Sequence, residues 1–367
     1  MLLSAIIPAY NEQEGIARVV ERVLAQRPAL SEIGVDLEFI VVDDGSRDRT
    51  VQIVERYPDV RLICHGKNQG YGAALKSGFR AARGEYLAFL DADGTYPPES
   101  LPDLCRAALE QNADLAIGSR MSGAASRMPL TRRLGNTAFA ILLSMIGSVR
   151  VRDTASGMRV IRRAVLQHLY PLPDGLDFTP AMSTRAIHEN LKVAEVPIPY
   201  EERAGRSKLN VVRDGVRFTN TILWTALTYN PVRILGSVGL TLGIVALAVL
   251  AVLVVDQFLS AQGTGAVDWF LAFLTLVLAV AGVSLLTLAV MFSYLIAIFT
   301  QRPVRRGIFG HVIFDPPLDY RFGSIGLASM AAGAVVGLVT LAFGLSGRTI
   351  DQLWLFLLGS ALLILIG

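Results

Sequence analysis

Asp91 and Asp93, one residue apart, end the apolar run Tyr86 to Leu90 and are followed by Gly94, Pro97 and Pro98. A buried strand that stops in carboxylates delivers acid to a cleft. In extended chain residues i and i+2 point the same way, so both carboxylates can face one ion while Ala92 packs back. Two hard oxygen ligands, completed by phosphates of a ligand, hold Mg²⁺ or Mn²⁺ on a nucleotide. An isolated Asp-Xaa-Asp is more often an acidic turn, so the surrounding chain must decide between the two.

The elements around the pair have the right order. Leu2 to Ile7 turns at Pro8 into Ala9-Tyr10-Asn11-Glu12, and Leu37 to Val42 closes on Asp43, Asp44, Gly45 and Ser46. Helical stretches lie between these runs, at the spacing of a parallel sheet with crossover helices. Ligands bind such sheets at the carboxyl ends of the strands, so the loops after Ile7, Val42 and Leu90 should meet at one crevice. Gly70 to Ser77, GYGAALKS, comes close to two phosphate-loop patterns and fails both at Leu75. It reads as a turn opening a helix, with Lys76 either reaching phosphate or solvated.

Further on, Asp114 to Arg120 reads as a strand ending in a basic residue. Arg127, Arg132 and Arg133 precede the apolar segment Thr137 to Ile146, which is too short to span a bilayer and fits either a membrane-surface or a core helix. Val193 to Tyr200 is another strand, and Glu201 to Leu209 a polar, basic loop. From Leu209 to Leu227 apolar residues recur at helical spacing, with Lys208, Arg213 and Arg217 close by, as in an interfacial helix.

The 367 residues are 52% hydrophobic and 18% charged, an average over two unlike parts. Up to about Arg233 the chain mixes charge and apolar residues; beyond it uncharged runs dominate, at about 232–255, 269–299, 324–345 and 352–367. Past Arg233 none of them carries a charge, which fits an anchor or lipid-binding scaffold better than a transporter. The loop 256–268 has no lysine or arginine, whereas 301–322 has Arg302, Arg305, Arg306 and Arg321, which places the head and that second loop in the cytosol, at the inner membrane. A net charge of +3 is too small to point to nucleic acid. Met1 to Ile7 lacks the flank of a signal peptide, and the last run ends at Gly367 without a polar flank, as in a chain cut within its final span. Cys64 and Cys105 have no metal spacing and are expected to be buried free thiols.

IIPAYNE, VVDDGSRD, FLDADGTYPPE, GSR, DTASGMR and RAGRSKL, in that order, resemble the family 2 glycosyltransferases of GT-A fold. Within them the likeness is to polyisoprenyl-phosphate glycosyltransferases of the dolichol-phosphate mannose synthase and GtrB type. The resemblance implies an α/β, Rossmann-like GT-A domain that binds a nucleotide sugar, over 1–208. Juxtamembrane interfacial helices over 209–231 and an α-helical transmembrane domain of about four spans over 232–367 would follow.

It further implies that Pro8, Tyr10, Glu12 and Asp43 hold the base and ribose, with Asp44 beside them, and that Asp91 and Asp93 hold a divalent metal on the diphosphate. Thr95 stands where relatives often have glutamine as a third ligand. Arg120, Arg203, Ser207 and Lys208 would face the donor's phosphates or sugar, and one of Arg127, Arg132 and Arg133 would grip the acceptor phosphate. Asp153 matches an acidic position proposed as a base in some members.

The implied reaction moves a monosaccharide from a UDP- or GDP-sugar to a polyprenyl phosphate with inversion. A phosphate monoester, with a second pKa of about 6, is already an anion near neutral pH and needs no base. Consistently, the chain contains no Glu-Asp dipeptide and no Gln-Xaa-Xaa-Arg-Trp, motifs of relatives that use sugar hydroxyls. The rival readings are transfer to a lipid or glycan hydroxyl with Asp153 as base, and a non-catalytic membrane scaffold. The sequence leaves open whether copies associate as a homo-oligomer.

Overall fold

The computed structural model describes residues 1–121, 128, 130–146, 151–201, 211–259, 265–300, 321–346 and 353–367. The chain divides into two compact units, Met1–Ala226 and Leu227–Gly367.

In the first unit the strands are β1 (Leu2–Ala9), β2 (Asp36–Asp43), β3 (Val60–Cys64), β4 (Tyr86–Phe89), β5 (Leu115–Ser119), β6 (Arg159–Arg162) and β7 (Val193–Pro197). They form one sheet in the order β3-β2-β1-β4-β6-β5-β7. Its helices are α1 (Ile16–Leu24), α2 (Arg27–Glu32), α3 (Thr50–Val54), α4 (Tyr71–Ala81), α5 (Leu101–Glu110), α6 (Leu130–Ile146), α7 (Leu166–Leu169), α8 (Phe178–His188) and α9 (Val211–Tyr229). The central strands are buried on both faces, which is why they read as unbroken apolar runs rather than alternating ones.

The sheet is mixed where the spacing of elements predicts parallel. β6 lies antiparallel between β4 and β5, with Phe89 opposite Arg159 and Ile117 opposite Arg159. This reversal has a topological consequence. Every other strand carries its following loop to the cleft edge; β6 runs the opposite way and brings the loop that precedes it, 153–158, to that same edge. The DTASGMR motif therefore joins the others although it comes before its strand.

Behind the sheet, α4 lies close on β1, because Gly78 has no side chain where a Cβ would press on Ile6 and Val42. Phe79, Phe89 and Phe178 meet there with ring centroids 6.1 to 6.2 Å apart. Cys105 is buried as expected, and burial pushes its thiol up to about 12. Cys64 is exposed instead: it ends β3, the edge strand, where no neighbour covers it.

Helix α9 falls in the first unit up to Ala226. Phe218, Ile222 and Ala226 recur at i, i+4 and i+8 and are buried, while Val216, Arg217 and Trp224 face out. On α6, Asn136 and Leu143 are buried, whereas Leu134 and Ile141 are exposed.

The second unit consists of α10 (Pro231–Leu259), α11 (Ala266–Thr300), α12 (Phe322–Leu345) and α13 (Leu353–Ile366). α10 and α11 approach closely at Gly239 and Gly282, where a Cβ would meet the facing backbone. Among the described residues three helices, α10 to α12, are long and apolar enough to cross a membrane. α13 has 14 residues, and at about 1.5 Å rise each it falls short of a hydrocarbon core of about 30 Å. The fourth apolar run read from the sequence corresponds to α13, a shorter apolar helix.

Candidate active site

A cleft of about 560 Å³ opens at the carboxyl edge of the sheet. Pro8, Tyr10, Glu12, Asp44, Asp91, Asp93 and Arg120 all line it, as the three-loop argument requires.

The first two loops are tied together by backbone geometry. Asn11, at φ 51°, donates its N–H to Ser46 Oγ at 2.8 Å, and its own side-chain oxygen accepts from Arg47 N at 2.8 Å. Asp43 Oδ2 accepts from the N–H groups of Gly45 and Ser46 at 3.1 and 3.0 Å, an Asx turn. Its Oδ1 is buried without a partner among the described residues, and Asp43 itself lies just outside the cleft lining, beside Asp44. Gly45 is obligatory here: its φ is +77° and a Cβ would stand 2.7 Å from the backbone of Lys67.

Asp44 is fully engaged. Its Oδ1 accepts from Gln69 N at 2.9 Å and pairs with His65 Nδ1 at 2.8 Å, while Oδ2 accepts from Gly70 N at 2.8 Å. His65 Nε2 in turn lies 2.9 Å from Ser77 Oγ. This buried Asp–His–Ser chain fixes the turn that opens α4. The phosphate-loop resemblance of that segment ends in structure rather than ligand: Gly72 N and Ala73 N donate to the carbonyl of Asp174, at 2.7 and 3.2 Å. Lys76 is corrected likewise. Its ammonium donates to the Leu172 carbonyl at 3.0 Å and pairs with Asp174 at 2.5 Å, away from the cleft lining.

The metal-candidate pair sits in a turn, not in extended chain, because β4 ends at Phe89. Thr95 donates both its N–H, at 3.1 Å, and its hydroxyl, at 2.6 Å, to Asp93 Oδ1, which bends the chain. Thr95 therefore aims Asp93. Asp91 Oδ1 accepts from the Tyr71 hydroxyl at 2.8 Å. Burial and the adjacent carboxylate hold that phenol well above its ordinary pKa, so it stays a donor. Gly157 also lies against Asp91, where a Cβ would stand 2.5 Å from Oδ2. Two carboxylates on one wall, one of them held by Tyr71 and packed on Gly157, fit a hard divalent ion whose remaining ligands come from phosphate or water. No group of three or more His, Cys, Asp or Glu able to hold an ion occurs among the described residues.

Arg120 and Asp153 form a buried fork. Arg120 Nε and Nη2 donate to Asp153 Oδ2 and Oδ1, both at 2.8 Å, and Arg120 N donates to Oδ2 at 3.0 Å. The guanidinium also stands 5.4 Å above the Tyr96 ring. Burial alone would lower the pKa of Arg120; Tyr96 and Asp153 outweigh it and hold the group above its ordinary value. Asp153 has 0% exposure and does not line the cleft. Asp153, the position matched to a base in some members, thus has both oxygens bonded to Arg120, an arrangement that orients the guanidinium.

Arg159, Gly157 and Tyr71 escaped the sequence reading. Arg159 is fully buried at the cleft end of β6, and its Nε and Nη2 donate to the carbonyls of Ser156 and Thr154, at 3.0 and 2.8 Å. Burial brings its pKa down to about 10, and Nη1 has no partner among the described residues. It braces the strap 154–157 that presses Gly157 on Asp91. The signal lay in DTASGMR, where a glycine and an arginine two apart in an apolar run are both unusual for a buried strand.

Arg133 is exposed on α6 and outside the cleft lining. Arg127, the side chain of Arg132, and Arg203, Ser207 and Lys208 lie outside the described residues.

A mixed sheet whose strand ends meet an Asp-Xaa-Asp wall is a glycosyltransferase domain of GT-A fold. The same architecture is seen in glucosyl-3-phosphoglycerate synthase from Mycobacterium tuberculosis, solved with Mn²⁺, UDP-glucose and phosphoglyceric acid. It matches with a TM-score of 0.50 and 21% identity over 61% of this chain and 79% of that one. Residues 4–170 match the model of glycosyl transferase family 2, and 231–367 match the domain of unknown function DUF8752. The dolichyl-phosphate hexose transferase of Haloferax volcanii is 32% identical over 60% of this chain and 92% of its own length. The chain belongs to glycosyl transferase family 2. The low-salt glycan biosynthesis hexosyltransferase of the same organism is 35% identical over 62% of this chain, which spans 54% of that relative's length.

Proposed function

We propose that the protein is an inverting membrane glycosyltransferase that moves a monosaccharide from a UDP- or GDP-sugar to a polyprenyl phosphate at the cytosolic face of the membrane. The observation that carries the acceptor assignment is the state of Asp153. Transfer to a hydroxyl needs a base able to take its proton, and both oxygens of Asp153 are bonded to Arg120. A phosphate monoester, already largely anionic with a second pKa of about 6, needs none. The hexose transferase relative, named for dolichyl phosphate, supports the same class of acceptor.

In this reading Pro8, Tyr10 and Glu12 form the nucleotide wall, with Asp43 Oδ1 as a buried acceptor for it. Asp91 and Asp93 hold Mg²⁺ or Mn²⁺, which when bound supplies positive charge against the departing diphosphate. Tyr71, Gly157 and Thr95 keep the two carboxylates in place. Arg120, kept protonated and oriented by Asp153, presents a fixed cation to the anionic ligands in the cleft. Arg203, Ser207 and Lys208 complete the donor side from the basic loop. Attack by the lipid phosphate on the anomeric carbon then inverts the sugar as the nucleotide diphosphate leaves.

The test gives the purified full chain in lipid a panel of UDP- and GDP-sugars, with polyprenyl phosphate and the matching polyprenol side by side. Transfer to the phosphate alone is expected; equal transfer to the alcohol would overturn the acceptor assignment.

A further inference from the structure

Two cations line the cleft among the described residues, Arg120 and Arg217, and they are held in different ways. Arg120 is committed, with a two-point bond to a buried carboxylate, an aromatic ring alongside and 11% of its side chain exposed. Arg217 is poised. It projects from α9, its side chain is 52% exposed, and one ion pair, Nε to Asp177 Oδ1 at 3.0 Å, holds it.

The partner carboxylate does not depend on Arg217 alone. Asp177 is buried, and its other oxygen accepts from the Thr221 hydroxyl at 2.9 Å, one helical turn further along α9. Chain geometry leaves the guanidinium room to reach the cleft. At Gly175 a Cβ would collide with it and would stand 2.7 Å from Asp177 Oδ1. Gly175 and Leu176 line the cleft together with Arg217.

The surroundings of Arg217 identify the class of ligand. Phe139 of α6 and Phe218 of α9 stack with centroids 5.9 Å apart, and both line the cleft. Met128 and Leu176 add further apolar lining, and Val216 and Trp224 are exposed on the same helix. Anionic charge is what a planar guanidinium fork receives best, and an apolar approach suits a hydrocarbon chain rather than a nucleotide. An anion carrying an apolar tail satisfies both conditions.

We infer that Arg217 grips the phosphate of the lipid acceptor, exchanging the carboxylate of Asp177 for it. The acceptor approaches between α6 and α9 with its first apolar units against Phe139 and Phe218. A half-exposed single ion pair is weak in water, so a phosphate that offers the fork two oxygens displaces it. Asp177 keeps its bond to Thr221 when the exchange occurs. The inference rests on the acceptor assignment proposed above.

The experiment measures initial rates of the full chain in lipid, with polyprenyl phosphate and the UDP- or GDP-sugar used by the wild type each varied in turn. R217Q should raise the KM for polyprenyl phosphate about tenfold or more while that for the donor moves less than about twofold. R217K, which keeps the charge but not the fork, should recover only part of the loss. D177N removes the competing carboxylate and should lower the KM for polyprenyl phosphate. A rise in D177N matching that in R217Q would make the pair a structural latch and overturn the inference. So would an unchanged acceptor KM in R217Q or, should R217Q fail to fold by thermal melting, in R217K. Inorganic phosphate should compete with polyprenyl phosphate in the wild type but far less in R217Q if the shared phosphate chemistry alone is read; no competition in the wild type assigns recognition to the lipid-linked form. Failure of the acceptor assignment itself is distinct, because the wild type would then transfer nothing to polyprenyl phosphate.

Discussion

Replacing Gly157 by alanine tests the claim that the strap 154–157 sets the position of Asp91. The backbone there has no positive φ, so alanine adds no conformational strain and the effect comes from contact alone. The new Cβ would stand 2.5 Å from Asp91 Oδ2 and 2.8 Å from both Cγ and Oδ1, against 3.4 Å where ordinary contact begins. Asp91 must move by several tenths of an ångström up to about 1 Å, away from the strap, which disturbs the bond it accepts from Tyr71 at 2.8 Å. Overpacking of this kind costs about 1–3 kcal/mol of stability, and a ~1 Å displacement of a reacting group costs roughly 100-fold in rate.

The measurements are initial transfer rates across a Mg²⁺ or Mn²⁺ titration, and calorimetric binding of nucleotide diphosphate with and without metal. Gly94→Ala in the same turn is the control: it stands at φ +76° with nothing within 4 Å of a Cβ, so only backbone strain is added. It should lower stability by about 1–2 kcal/mol and leave the metal response in place. If Gly157→Ala transfers within about twofold of the wild type with the same metal response, the strap does not position Asp91 and the reasoning is wrong.

Asp93→Asn should abolish transfer and weaken nucleotide diphosphate binding chiefly when Mg²⁺ or Mn²⁺ is present; full activity in that variant would remove the metal assignment. Asp153→Asn leaves Arg120 charged in a buried site and should destabilise the first unit by roughly 3–5 kcal/mol, read as a drop in Tm. Rate loss without any loss of stability would instead restore Asp153 as a base. Glu38 is penalised by burial, yet bonds from the Ser4 hydroxyl, the Arg83 N–H and the Arg83 guanidinium hold its pKa below the ordinary value. Its contribution to stability is therefore present above an unfolded-state pKa of about 4.3 and lost as pH falls through the lower folded value. Glu38→Gln should flatten the acid limb of Tm against pH, and an unchanged limb would contradict this. Cysteines introduced in 256–268 should react with an impermeant reagent from outside intact cells and those in 301–322 should not; the reverse pattern would refute a cytosolic head.

Local order in the chain was enough to place most of the cleft. Apolar runs of strand length ending in Pro8, Asp43 and Asp91 mark strand ends because a parallel sheet buries its strands on both faces and exposes only the loops beyond them. The long uncharged runs after Arg233 likewise mark membrane-spanning helices, since no soluble fold has use for such continuous apolar surface. What a side chain does in the site depends on partners distant in sequence. Asp153 reads as a candidate base by type and motif, but the antiparallel β6 brings its loop beside the end of β5, and Arg120 takes both its oxygens. Lys76 reads as either a phosphate ligand or a solvated lysine by its place in a glycine-rich turn, but the 172–174 loop reaches it first. Arg217 reads as one charge on an interfacial helix, and only the fold brings it to Asp177 and into the cleft lining. Periodicity and turn chemistry are properties of neighbours along the chain, so the sequence alone carries them. The state of a buried ionisable group is set by the charge that tertiary packing places against it, and that charge comes from another strand, loop or helix.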